Sequence, residues 1–423
     1  MPTDNRTDVN AATAMMIYMS AQNELAPKAT ENIDAIKSNV ALDNLCLYIV
    51  EDTYDNLVVD GPSARTTFHY RLPRGATETD FNRQSFGNMD KTIGDPAVFK
   101  RFLERAKEHF HNDGTNQKIL VLWGHGGGLV LLDEENANGT IRARASIAEF
   151  AEVLEHESRL PNALKFDIVA FDSCYMGVIE AMNQLREATS YALVSSTVVA
   201  ADGYPYETFI RDLKDHGPTL DPKTAAAHIA TCYDDHYKQL LPDEERFLFT
   251  CDMKKIEDCA VALNEFGDEL SSLLGPNVND DPVRDAISEA LIAAHADYAY
   301  VPVLIFMRKL GNRLAIPLDP DKLENLGKAG RKLANTVKAA FAGKLSDTGY
   351  TPTSPLIWSP DGLGLFLRDY QTYNQLDSSK NGDGGWTKFW RKFHGIAADF
   401  PIKPVLTSKF GIGIPKSVLF GLL

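Results

Sequence analysis

Long apolar runs, an excess of positive charge and a regular cysteine framework are all missing from this 423-residue chain. A bilayer-spanning helix needs about 20 consecutive apolar residues, and no stretch supplies them, so no membrane partner is expected. Lys and Arg number 43 against 58 Asp and Glu, a formal net charge of -15. Affinity for nucleic acid rests on cations that neutralise phosphates, so no nucleic-acid partner is expected either. The same acidic balance suits a cleft that attracts cations. The five cysteines (46, 174, 232, 251 and 259) are odd in number and widely spaced. They do not resemble a disulfide scaffold, which favours a reducing compartment. The first twenty residues lack the basic start and apolar centre of a secretory signal. A cytoplasmic location is therefore expected, or a secreted one if the chain has been trimmed. There is no internal repeat and no low-complexity tract.

What is present reads as alternating strands and helices. Ala14–Met19 is a short apolar strand, followed by Leu25, Ala29, Ile33 and Ile36 at helical spacing and a second strand at Asn44–Val50. That is a βαβ unit, which implies a parallel sheet. Residues 53–94 read as loops with a hairpin around Thr66–Leu72. Asp95 and Pro96 then signal a helix start, and Ser146 with Glu149 forms a capping box. Between these two helices lie the apolar strand in Lys118–Gly128 and a polar stretch, Asp133–Arg144, read as a loop. A further buried strand lies in Lys165–Gly177, and another at Tyr191–Thr197. Beyond about residue 218 helical patterns dominate: 222–240, 252–274, 282–296 and 319–342. Gly362–Leu367 reads as one late strand, and Trp386–Phe393 as a helix with an aromatic core face. The expected organisation is an α/β unit over residues 1–217 and a mostly helical region over 218–423 that lends the 362–367 strand to the sheet.

Chemistry concentrates at two strand ends. KFDIVAFDSCYMG places Cys174 just beyond one strand, and KILVLWGHGGG places His125 just beyond another. Reactive groups gather at the carboxyl ends of strands in open α/β sheets. Amide cleavage by a thiol requires thiolate, and a nearby imidazole can take the proton and later donate it to the leaving amine. A lone cysteine is most simply a packed core residue; the paired motifs argue for nucleophile and base. A helix starting near Met176–Val178 is expected to turn its N-terminal amides toward the thiol. Gly126–Gly128 let backbone amides approach a substrate closely.

These motifs, with MMIYMSAQNELAP at the start, GDP before a helix and DGYPY at 202–206, resemble the clostripain-like cysteine peptidases. These belong to the clan of caspases, gingipains, legumain and separase. The resemblance covers residues 14–206 well and the C-terminal half weakly. It implies a caspase-like α/β/α sandwich and a cysteine endopeptidase using His125 as base and Cys174 as nucleophile, with no third residue required. Gly126 and the Cys174 amide would serve the oxyanion. Gly124 stands where relatives often carry Asp. Protein or peptide substrates with Arg, or Lys, before the scissile bond are implied, selected by Asp172 and Asp202. A bidentate carboxylate–guanidinium contact provides the physical basis. A helix N-cap for Asp172 and a turn residue for Asp202 are the plainer readings. Self-cleavage in the 133–145 loop, after Arg142 or Arg144, is a further implication, against a merely solvated loop.

No cofactor is required for this chemistry. Calcium is admitted because some relatives use it and Asp377–Gly385 carries oxygen ligands without a full loop pattern. Cys232 and His236 lie four apart on a helix but have no second ligand pair, so a packed thiol and a solvated imidazole are expected rather than a metal. A regulatory protein partner is compatible with the helical half. The alternative function is a caspase-like interaction module with little or no catalysis; a cysteine-dependent amidase or transferase for small molecules is more remote.

Overall fold

The structure, a computed structural model, describes residues 13–396 apart from 40–44, 55–64, 74–75, 87–91, 111–116, 136–140, 162, 217–219, 242–247, 277–280, 295–299, 315–316, 344–353 and 361–383. The first βαβ unit is β1 (Thr13–Ala21), α1 (Ala26–Ser38) and β2 (Leu45–Tyr54). β3 (Arg65–Leu72) folds back on β2 and is followed by the short β4 (Gln84–Ser85). Next come α2 (Pro96–His109) and β5 (Gln117–Trp123). As expected, Asp95 caps α2, its carboxylate accepting from the Ala97 amide at 2.8 Å. The Asp133–Arg144 stretch is not a loop but most of a hairpin, β6 (Val130–Glu135) with β7 (Ile141–Ser146). Leu131, Leu132 and Glu134 are all buried and the pairing register shifts between them, so the stretch shows no alternation that sequence reading could detect. Ser146 and Glu149 form the capping box of α3 (Ile147–Arg159).

β8 (Phe166–Asp172), α4 (Ile179–Gln184), β9 (Thr189–Val194) and α5 (Tyr206–His216) follow. The second half begins with α6 (Pro222–Leu240), β10 (Phe249–Asp252), α7 (Ile256–Leu273) and α8 (Pro282–Ala293). It continues with β11 (Tyr300–Pro302), α9 (Val303–Arg313), α10 (Pro320–Ala340), β12 (Phe341–Ala342), β13 (Leu356–Trp358) and α11 (Gly385–Phe393). Four short strands in this half escaped the sequence reading, because two to four residues are too few to display a period. The stretch expected to form a strand at 362–367 lies outside the described residues, as do 377–383 of the Asp377–Gly385 stretch.

A nine-stranded sheet runs in the order β12-β10-β9-β8-β5-β1-β2-β3-β4. Its central strands β9, β8, β5, β1 and β2 are parallel, and the added strands on both sides are antiparallel. The chain after residue 217 thus builds one edge of the sheet through β10 and β12. Alternation along β1 explains the layering, since successive side chains point to opposite faces. Met16 and Tyr18 enter a core shared with α2, α3, α4 and α7, while Met15, Ile17 and Met19 enter one shared with α1, α5 and α6. Both faces are covered, which is why the strand is apolar throughout. The aromatic face of α11 is core: Trp386, Phe389, Trp390 and Phe393 are buried, and the Trp386 indole donates to the Trp358 carbonyl at 2.7 Å. Among the described residues no helix is long and apolar enough to cross a membrane.

Candidate functional site

Register brings His125 and Cys174 together. β5 and β8 are parallel neighbours in which Trp123 pairs with Asp172, so each candidate residue sits two positions past a matched pair. Adjacent strands lie about 4.8 Å apart, and the ladder continues one step through Gly124 N–H to the Asp172 carbonyl at 3.2 Å. The two loops then touch. A Cβ at Gly126 would fall 2.5 Å from the Cys174 carbonyl oxygen and 2.8 Å from Ser173 Cβ. Only glycine allows the His125 loop to lie this close to the cysteine turn.

The turn itself is sharply bent. Tyr175 has φ +58°, a left-handed value that non-glycine residues seldom adopt and that concentrates at functional sites. Tyr175 N–H donates to Thr197 O and Gly177 N–H to Ser195 O, which ties the turn to the chain leaving β9. Cys174 is left half-buried at the corner. Its sulfur accepts from the Val199 amide at 3.3 Å. The expected helix forms: α4 begins at Ile179, with Val178 as its N-cap, and is six residues long. The Val199 amide that meets the thiol comes from the chain beyond β9. The other cysteines differ. Cys46, Cys251 and Cys259 are buried, and burial pushes the thiols of Cys251 and Cys259 up, the latter to about 12. Such thiols are poor nucleophiles.

Two further groups at the site were not found by sequence reading. Glu24, in the loop after β1, places a carboxylate oxygen 3.0 Å from His125 Nε2. β1 adjoins β5 on the side away from β8, so the loops carrying Glu24 and Cys174 leave strands on opposite sides of β5. Gly124, with φ +141°, would press a Cβ to 3.1 Å from the Ser20 carbonyl, which leaves little room for Asp there, while a carboxylate reaches the imidazole from the loop after β1. The loop is pinned by Asn23, whose amide donates to the Asp133 carbonyl at 2.9 Å. The second group is Tyr300 on β11. Its hydroxyl donates to Gly127 O at 2.9 Å and accepts from Leu129 N–H at 3.2 Å, bracing the glycine loop. β13 holds the other loop, Leu356 N–H donating to Gly177 O at 2.8 Å. A Gly-rich loop signals only that something packs closely; its partner lies 171 residues away from Leu129.

The two carboxylates singled out for selectivity sit differently. Asp172 is 4 % exposed, and one of its oxygens accepts from Tyr204 N–H at 3.0 Å and the Tyr206 hydroxyl at 2.9 Å. Burial raises its carboxyl from 3.8 to about 7. It is not a helix N-cap, since α4 starts seven residues later. Asp202 is exposed, with its carboxylate 2.7 Å from the Lys28 ammonium. Arg142 and Arg144 both lie in β7. Arg144 forms a forked contact with Asp133, its Nε at 3.1 Å and Nη2 at 3.0 Å from the two carboxylate oxygens.

The clostripain of Hathewaya histolytica is 22 % identical over 422 aligned positions, covering 86 % of this chain and 77 % of that protein. An inactive zymogen C11 protease from Parabacteroides distasonis superposes with TM-score 0.55 at 17 % identity, over 90 % of this chain and 98 % of that one. A secreted C11 cysteine protease from Bacteroides thetaiotaomicron, solved with an irreversible peptide inhibitor, gives 0.56 at 16 % identity, over 87 % and 99 %. These likenesses confirm the α/β architecture with a large, mainly parallel sheet. The sequence model of the clostripain family itself matches residues 17–303, well over half the chain and both strand-end motifs, and the chain therefore belongs to the clostripain family, as a cysteine peptidase that hydrolyses peptide bonds.

Proposed function

We propose that the chain is an endopeptidase that cleaves after Arg, and also after Lys, through a His125–Cys174 dyad. The observation that carries this reading is the flush contact of Gly126 on the Cys174 turn at the ends of two paired strands. The Glu24 carboxylate lies 3.0 Å from Nε2, and the imidazole exchanges a proton with the thiol. His125 takes that proton, and the thiolate attacks the scissile carbonyl carbon. The Gly126 and Cys174 amides hold the oxyanion. As the tetrahedral adduct collapses, His125 returns the proton to the leaving amine; water, activated by the same imidazole, then releases the acyl group.

For selection of the basic side chain we assign the direct contact to Asp202. Its carboxylate already holds an ammonium, that of Lys28, and a substrate cation would exchange with it. Asp172 supports the same loop from beneath through Tyr204 and Tyr206. Self-cleavage is assigned to Arg142 or Arg144, and at Arg144 the guanidinium would first have to leave Asp133. Calcium and a regulatory partner stay open as modulators, and neither enters the steps above.

Fluorogenic peptides ending in Arg, Lys or Asp test the reading, in reducing buffer with and without calcium. Turnover of Arg and Lys peptides, abolished by Cys174→Ala and with KM raised by Asp202→Asn, is expected. No turnover of any peptide would favour a caspase-like binding module, and turnover of the Asp peptide alone would overturn the pocket. Intact mass after storage should show clipping in wild type and none in Cys174→Ala. Equal clipping, or none, refutes self-processing.

A further inference from the structure

Outside the site above, the side chains of Asp212, His228 and Cys232 converge. Asp212 projects from α5, and His228 and Cys232 lie one turn apart on one face of α6, where i and i+4 positions meet. One ligand atom from each falls within 4.8 Å of the others. Cys232 Sγ is 3.0 Å and His228 Nδ1 3.7 Å from the same Asp212 oxygen. Tetrahedral zinc, with bonds of about 2.0–2.3 Å to N, O and S, sets its donors roughly 3.4–3.6 Å apart. The two separations from Asp212, 3.0 and 3.7 Å, lie within about half an ångström of that spacing. His236, the other histidine four positions from Cys232, is turned away, its ring edge-on to Tyr237 at 4.9 Å.

We propose that Asp212, His228 and Cys232 form a binding site for a borderline divalent transition metal, zinc being the natural occupant. The donor set excludes calcium and magnesium, which take oxygen ligands. Three protein ligands leave a fourth position for water, the arrangement of an exchangeable site rather than a closed structural one. Binding replaces the proton that Cys232 shares with Asp212, so one proton per metal is released to solvent. Asp235 and Arg211 also act electrostatically on the Cys232 thiol, one charge of each sign.

The site fastens together the two helices that hold the 202–206 loop. α5 starts at Tyr206, which donates to Asp172, and α6 carries Tyr237, whose hydroxyl donates to Gly203 O at 2.6 Å. Metal occupancy therefore stiffens the loop carrying Asp202. This second consequence rests on the proposed role of Asp202; the binding itself does not.

The test uses the full chain with Cys174→Ala, which removes the dyad as a rival thiol site. Cobalt(II) serves as the probe, because a thiolate ligand produces a charge-transfer band. The other remaining cysteines are buried, so that band reports Cys232. One equivalent of cobalt should bind with the band, be displaced by zinc, and raise Tm. Cys232→Ser should abolish the band while the metal-free Tm stays within a few degrees. His228→Ala should weaken binding by at least roughly tenfold, a loss that even outer-shell partners of metals produce, and His236→Ala should change nothing. No band, no stoichiometric zinc by equilibrium dialysis, or dependence on His236 in place of His228 would overturn the site. None of these outcomes bears on whether Arg peptides are cleaved.

Discussion

Adding one methyl group at Gly126 should disable the enzyme while the same change one residue later should not. In Gly126→Ala the new Cβ would lie 2.5 Å from the Cys174 carbonyl oxygen, 2.8 Å from Ser173 Cβ and 3.0 Å from Met176 Sδ. Comfortable contact needs about 3.5 Å, so the two loops must part by close to an ångström. Overpacking of this kind costs about 1–3 kcal/mol in stability. A displacement of that size between reacting groups can cost about a hundredfold in rate. At Gly127 a Cβ would meet only Val130 Cγ2, at an ordinary 3.5 Å. The assay is kcat and KM on an Arg-ending fluorogenic peptide, with alkylation of Cys174 by iodoacetamide as a check on the thiol. Gly126→Ala should remain folded and lose kcat by roughly two orders of magnitude, with Gly127→Ala close to wild type. Wild-type kcat in Gly126→Ala, or equal losses in both, would refute the idea that this contact aligns the dyad.

Asp172→Asn should change how stability depends on pH. Burial raises the native carboxyl from 3.8 to about 7, so between those values the folded protein holds a proton that the unfolded chain has released. Stability therefore falls as pH rises through that window and levels off above it. At ~1.4 kcal/mol per pH unit, wild type should lose up to roughly 4 kcal/mol relative to Asp172→Asn; parallel denaturant midpoints from acid to neutral pH would refute this. Glu24→Gln removes the charge beside His125 Nε2. A partly exposed pair is worth ~1 kcal/mol, so kcat should drop about fivefold with Tm unchanged, and an unaltered kcat would deny Glu24 an orienting role. Tyr300→Phe leaves the Gly127 carbonyl and Leu129 amide without its hydroxyl. Those two groups remain bonded to each other at 2.9 Å, so each lost hydrogen bond costs about 1 kcal/mol; Tm should fall and kcat with it, and kcat at the wild-type value would show that the glycine loop holds its shape without the brace.

Most of the α/β half was legible because its signals are local. The apolar runs of β1, β5 and β8, the Asp95 cap and the Ser146–Glu149 box each depend on residues a few positions apart, and all formed as expected. The misreadings were of two kinds. The β6–β7 hairpin is too irregular and the strands β10 to β13 too short to display a period.

His125 and Cys174 were identifiable from sequence because each closes a strand that identifies itself by composition, and parallel register then sets them side by side. The neighbours that give the site its character were not. Glu24 reaches His125 only because β1 lies against β5; Tyr300 reaches the glycine loop from 173 residues away; and Asp202 meets Lys28 because α1 packs beside the 202–206 loop. The same holds for Asp212, which joins His228 and Cys232 only when α5 lies on α6. Sequence by itself determined the principal strands and helices and placed His125 and Cys174 just past the ends of two of those strands. Tertiary packing alone decided what surrounds them, because those contacts rest on strand order and helix docking, which no local pattern encodes.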